Sequence, residues 1–196
     1  MENKKTTIRH YNRKILEHQT VGIFVDAENV EMSGLNVYKG RTDYKKLIQS
    51  IGSGRRVIRI IYYKPQHKEI SEDFKKFWYE QGGEIKRPLK NADSFLTIDA
   101  VTLADKMDVI VIVGGDKDYM PLLWYVKSRG CKTEVWSYPE TTSATLQETA
   151  DFFYPIDESF IIKDASRRRA VRPEKDKPEI KEKEKEKEKE REKPKA

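Results

Sequence analysis

Five β-branched residues in a row, Val109-Ile-Val-Ile-Val113, constrain this chain more than anything else in it. The run is too short to cross a membrane and carries no polar face. A strand that is apolar on both sides must be buried on both sides, which is the situation of a central strand in a parallel sheet covered by helices. It ends in Gly114-Gly115-Asp116-Lys117-Asp118-Tyr119. In open α/β sheets, ligands sit outside the carboxyl ends of the strands, so Asp116 and Asp118 stand where chemistry is expected. A second apolar run, Val21-Gly-Ile-Phe-Val25, likewise ends in an acid, Asp26.

Around these two strands the pattern alternates. After Asp26-Ala-Glu-Asn29 comes a long polar segment with Gly34 and Gly40, in which no element is evident. Asp43 then reads as the N-cap of a helix whose Tyr44, Leu47, Ile48 and Ile51 recur with helical period. Residues 56 to 63 read as a strand. Residues 71 to 81 read as a helix turning Phe74, Phe77 and Trp78 inward, stopped by Gly82 and Gly83. A short strand to Lys86, a helix from about Asp93 to Lys106 and the central strand follow. Pro121 and Gly130 bracket another helix, with Leu122, Leu123 and Val126 inward. Residues 132 to 138 form a further strand, residues 142 to 151 a last helix, and residues 152 to 156 an edge strand. Five strand–helix alternations predict an α/β fold: a three-layer α/β/α sandwich with a mostly parallel sheet of five to six strands and right-handed crossovers.

The net charge of +6 is unevenly placed. From Lys163 onward, 15 basic residues meet 10 acidic ones; the rest of the chain holds 24 and 23, so the body is nearly neutral. Residues 1–20 read as a basic arm, residues 21–162 as the folded domain, and residues 163–196 as a disordered tail with a Lys-Glu repeat that cannot build a core. The single Cys131 excludes an internal disulfide and a paired-cysteine metal site. No signal peptide or spanning helix is evident. A cytoplasmic protein without membrane contact is expected.

The acids carry the functional argument. At about 3.6 residues per turn, Leu96, Ala100, Leu103 and Ala104 share one inward stripe. Asp99 falls on its flank, whereas Asp105 points outward. A carboxylate beside a buried face is expensive without a partner. Asp93, near the helix start, reads on its own as an N-cap, and Asp105 and Asp108 read as solvated or capping residues. Carboxylates gathered at one sheet edge repel unless a cation neutralises them, and oxygen-only ligands point to Mg2+ or Mn2+ rather than Zn2+. Such a site activates water for phosphodiester hydrolysis. His10, His18 and His67 lie far from the acids in sequence, and no phosphate-binding glycine loop is present. Lys64, His67, Lys68, Lys86, Arg87 and Lys90 follow the ends of two strands and form a candidate phosphate-gripping rim. Tyr62, Tyr63, Tyr119 and Trp124 are candidate stacking residues, although core packing explains them as well.

Four segments in order resemble the NYN domain family, the LabA-like branch of the PIN-like nucleases, over about residues 20 to 160. They are Phe24-Val-Asp26-Ala-Glu-Asn29, Thr42-Asp43-Tyr44-Lys45-Lys46-Leu47, Pro88-Leu89-Lys90-Asn91-Ala92-Asp93 with Asp99 six residues later, and Val113-Gly114-Gly115-Asp116-Lys117-Asp118-Tyr119. The third resembles the family's Lys-Gly-x-Asp element and the fourth its Ser-Gly-Asp-x-Asp-Phe element. Asn91 replaces the usual glycine and Gly114 the usual serine. The resemblance implies a PIN-like sandwich and a metal-dependent ribonuclease. It implies Asp26, Asp99 and Asp116 as the main metal acids, Asp93 supporting, Asp118 as a further ligand or brace, and Asn29 orienting substrate or water. Lys90 would contact phosphate, with Lys64, Lys86 and Arg87 beside it. The expected partner is RNA, single strands being favoured, with a homodimer left open. Two alternatives stand beside this: a non-catalytic binding module that keeps the fold, and a haloacid-dehalogenase-like phosphohydrolase. The latter wants a second aspartate where Glu28 stands.

Overall fold

The computed structural model describes residues 18–163. The arm up to residue 17 and the charged tail from residue 164 lie outside the described residues. The first half runs β1 (Thr20–Asp26), α1 (Ala27–Tyr38), β2 (Arg41–Thr42), α2 (Tyr44–Gly52), β3 (Arg56–Tyr63), α3 (Glu72–Glu80), β4 (Glu84–Lys86). The second half runs α4 (Asp93–Leu103), β5 (Val109–Val113), α5 (Met120–Ser128), β6 (Lys132–Ser137), α6 (Ala144–Thr149), β7 (Phe152–Pro155), β8 (Ile161–Ile162). Six strands form one sheet in the order β4-β3-β1-β5-β6-β7, each neighbouring pair parallel. β2 and β8 make a separate two-stranded antiparallel pair.

The central run behaves as its composition requires. All five residues of β5 are buried, and they alternate between two cores. Val109, Val111 and Val113 join Val21, Ile23 and Val25 against α1, α2 and α3, where Tyr44, Tyr62, Phe74 and Trp78 pack ring to ring. Ile110 and Ile112 join Phe24 on the opposite face, against Leu96 and Ala100 of α4, Leu122, Leu123 and Val126 of α5, and Leu146 of α6. Burying one such aliphatic side chain contributes about 1.5–3 kcal/mol, so β1 and β5 anchor both layers. Among the described residues no helix is long and apolar enough to cross a membrane.

Two local expectations are corrected. The polar segment after Asp26 is a helix of 12 residues, α1. Its buried stripe consists of Ala27, Val30, Ser33 and Gly34, of which Val30 alone is a larger aliphatic, too little to announce a hydrophobic period. Gly34 is required there, because a Cβ would stand 2.8 Å from the Tyr138 hydroxyl oxygen. Asp93 is not a cap: α4 starts from Ala92 without any side-chain capping bond, and Asp93 is its first helical residue. Its carboxylate is therefore available for something else.

Candidate active site

The strand order decides where the site lies. The chain lays β3 and β4 on one side of β1, then returns to place β5, β6 and β7 on the other. Strand order reverses between β1 and β5, and the crevice outside the carboxyl ends of two such strands is the ligand position in doubly wound sheets. β1 delivers Asp26 to that crevice. β5 delivers Gly114-Gly115-Asp116, continued by a single 3-10 turn, Lys117–Tyr119, into α5.

Asp26 ends β1 and caps α1, its Oδ1 accepting the Asn29 backbone N–H at 3.2 Å. Only 5% of the residue is exposed. Its other oxygen accepts the Tyr119 hydroxyl at 2.8 Å, and the same hydroxyl lies 2.9 Å from Asp93 Oδ1. Two acids from separate elements thus converge on one phenol oxygen. Burial pushes Asp26 up from its ordinary 3.8 to about 6, and the charges of Asp93 and Asp116 push the same way, against the lowering bonds from Asn29 and Tyr119. Burial and the two neighbouring carboxylates raise Tyr119 as well, so it remains a neutral donor.

Asp116 caps the 3-10 turn, accepting the Asp118 N–H at 3.0 Å. Asp118 itself is exposed, and its role in this contact is played by its backbone. Asn29 ties the two strand ends together: its Oδ1 accepts the Gly115 N–H at 2.8 Å. With the carbonyl so engaged, the Asn29 NH2 group is left to donate elsewhere. Gly115 has no room for a side chain, since a Cβ would meet Thr142 Oγ1 at 2.7 Å and Ser137 Oγ at 2.8 Å.

Asp99 has partners of its own. Lys86 of β4 reaches both of its oxygens, at 2.8 and 2.7 Å, and Tyr63 of β3 donates to Oδ2 at 2.7 Å. The charges that act on Asp26 are those of Asp93 and Asp116. Asp93, read from sequence as a supporting acid, is the one that shares a hydrogen-bonding group with Asp26. Tyr119 was visible in the sequence only as an aromatic; its hydroxyl is the feature the sequence reading missed.

The rim cations are largely engaged. Lys64 pairs with Glu31 at 2.8 Å, Lys68 with Glu28 at 3.3 Å and Lys86 with Asp99 at 2.7 Å. Arg87 donates to the backbone carbonyls of Pro65, Gln66 and Lys68. Lys90 is exposed, with no ion pair to a described residue. Tyr62, Tyr63 and Tyr119 are buried packing residues, whereas Trp124 is 60% exposed. Asp105 is exposed and paired with Arg129, and Asp108 accepts from both the backbone and the hydroxyl of Thr20.

The donors Asp26, Asp93 and Asp116 are hard anionic oxygens, the kind that suits Mg2+ or Mn2+. Among the described residues no three acidic, histidine or cysteine side chains stand close enough to form a finished cage. The donor chemistry fits a cation that keeps much of its water shell, as Mg2+ does.

The sequence of residues 20–157 matches the family model of the NYN domain. The chain belongs to the NYN domain family. Its fold is accordingly that of the PIN-like nucleases. A crystal structure of a protein of unknown function from Vibrio parahaemolyticus RIMD 2210633 superposes with a TM-score of 0.65 at 23% identity, covering 74% of this chain and 96% of that one. That likeness concerns the fold. No curated protein matches the sequence.

Proposed function

We propose that this NYN domain is a cytoplasmic, Mg2+- or Mn2+-dependent ribonuclease that hydrolyses phosphodiester bonds of single-stranded RNA. One observation carries the reading: Asp26 and Asp93 converge on the Tyr119 hydroxyl, beside Asp116, at the switch point of a parallel sheet. Among the described residues neither Asp26 nor Asp93 has a cationic side chain beside it, while Asp99 already has Lys86. A buried carboxylate, Asp26, with a half-buried one, Asp93, beside it and no cation is costly, and a divalent cation supplies the missing charge.

When bound, such an ion polarises the phosphoryl group and lowers the pKa of an attacking water. The chain's own residues do the rest. Asp26, Asp93 and Asp116 would hold the cation, and Asp118 braces the turn that presents Asp116. The Asn29 NH2 group donates to a phosphate oxygen, its orientation set by the Gly115 N–H. Lys90 meets the backbone phosphate as a free cation. Lys64 and Lys86 keep their carboxylate partners, and Arg87 braces the loop around Pro65. The water adds to phosphorus and gives up a proton, one P–O ester bond breaks, and the leaving oxygen takes up a proton, so that water is split across the ester.

A second reading, a non-catalytic NYN-fold binding module, draws on the paired rim lysines, which leave little free positive charge for a nucleic acid. The discriminating experiment uses end-labelled single-stranded RNA with purified wild type and Asp116→Asn, each in Mn2+, in Mg2+ and in EDTA. The ribonuclease reading expects cutting that needs metal and is lost in the variant. No cutting, or equal cutting by both proteins, would favour the binding module.

A further inference from the structure

Tyr119 is completely buried, and its ring packs in the core between the sheet and the helices α4, α5 and α6. Its backbone is fixed as well, because it closes the 3-10 turn that Asp116 caps. The hydroxyl therefore has little freedom to move. It lies 2.8 Å from Asp26 Oδ2 and 2.9 Å from Asp93 Oδ1.

A buried phenol needs one acceptor. Here it has two, one from the end of β1 and one from the first turn of α4. Among the described residues no other hydrogen bond joins those two side chains, and as like charges they repel. The hydroxyl has a single proton, which it can give to either oxygen in turn, so both carboxylates face the same phenol. Building on the cation reading above, we infer that Tyr119 is a positioning residue: its hydroxyl holds the Asp26 and Asp93 carboxylates in a two-acid mouth for a divalent cation. Groups that orient metal-binding side chains typically contribute 10- to 100-fold in affinity.

Tyr119→Phe removes the oxygen and keeps the ring, a change of shape that cores tolerate. Tyr138→Phe is the matched control, a buried tyrosine whose hydroxyl meets Thr42 Oγ1 at 2.7 Å. Binding of Mn2+ alone to the full-length chain is measured from the electron paramagnetic resonance signal of the free ion, with thermal unfolding recorded on the same samples. Tyr119→Phe is expected to bind Mn2+ on the order of ten-fold more weakly, with its unfolding transition retained, while Tyr138→Phe matches wild type. In an Asp93→Asn background, where the second carboxylate is gone, Tyr119→Phe is expected to add little further loss. A merely structural tyrosine would show no such dependence on Asp93. Equal or tighter Mn2+ binding by Tyr119→Phe than by wild type overturns the inference and leaves the cation site standing. If wild type itself binds no Mn2+, the cation reading fails and this inference falls with it.

Discussion

Lys86 Nζ lies 2.8 and 2.7 Å from the two carboxylate oxygens of Asp99. Asp99 is thus neutralised from within the fold, by a lysine on β4 and by the Tyr63 hydroxyl on β3. Asp93, six residues earlier on the same helix, is instead directed to Tyr119 and Asp26. One helix therefore carries two acids with different employment: one closes an internal ion pair and the other joins the crevice at the switch point.

The elevated proton affinity of Asp26 makes stability depend on pH. Its folded-state value, about 6, lies above its ordinary 3.8. Between those values the folded chain holds a proton that the unfolded chain has lost. Asp26 therefore penalises the fold progressively as pH rises through that window, by up to about 3 kcal/mol at neutral pH. Asp26→Asn has no such penalty, and asparagine still caps α1. Urea unfolding at pH 4 and at pH 7 should show the variant gaining on wild type as pH rises. A constant difference would contradict the burial argument.

Gly115→Ala should destabilise the protein by about 1–3 kcal/mol, the range for overpacking. The added carbon would come within 3.1 Å of the Thr142 backbone Cα, which cannot rotate away as a side chain could. Differential scanning calorimetry should record a lowered Tm. Unchanged stability would mean that the loop after β5 yields more easily than its packing indicates.

A buried charge pair joins the residue before β3 to β6. Arg55 Nη1 meets Glu134 Oε1 at 2.6 Å with both side chains under 8% exposed, and Trp136 Nε1 donates to the same carboxylate at 3.2 Å. Arg55→Met leaves Glu134 buried without its cation and should cost about 3–5 kcal/mol. Adding Glu134→Leu should return much of the loss, since replacing both charges by apolar groups is often nearly neutral. Denaturant titration of the two variants reads both effects.

The two strands that organise the molecule could be read from sequence because their residues have a single use. Val109 to Val113 fit nothing but a strand buried on both faces, and Asp26 and Asp116 were located by the strands they end. The helical wheel correctly set Asp99 beside a buried stripe and correctly demanded a partner for it. What the wheel lacks is the neighbouring strands, and the partners arrived from there as Tyr63 and Lys86. Helix α1 escaped notice for a different reason. It packs so closely, with Ala27, Ser33 and Gly34 on its buried side, that its core residues are the small and polar ones that also mark loops. The two-residue strands β2 and β8 are too short for any alternation to be seen. The Tyr119 hydroxyl was hidden because an aromatic residue after a Gly-Gly-Asp turn reads equally well as packing, which its ring indeed does.

The central claim is that the cation-binding acids are those gathered around Tyr119, not the one held by Lys86. The most direct measurement compares Mn2+-dependent cleavage of single-stranded RNA by Asp93→Asn and Asp99→Asn, purified beside wild type. The account predicts that Asp93→Asn is inactive while Asp99→Asn retains metal-dependent cleavage. Full activity in Asp93→Asn, or loss of cleavage in Asp99→Asn, would contradict it.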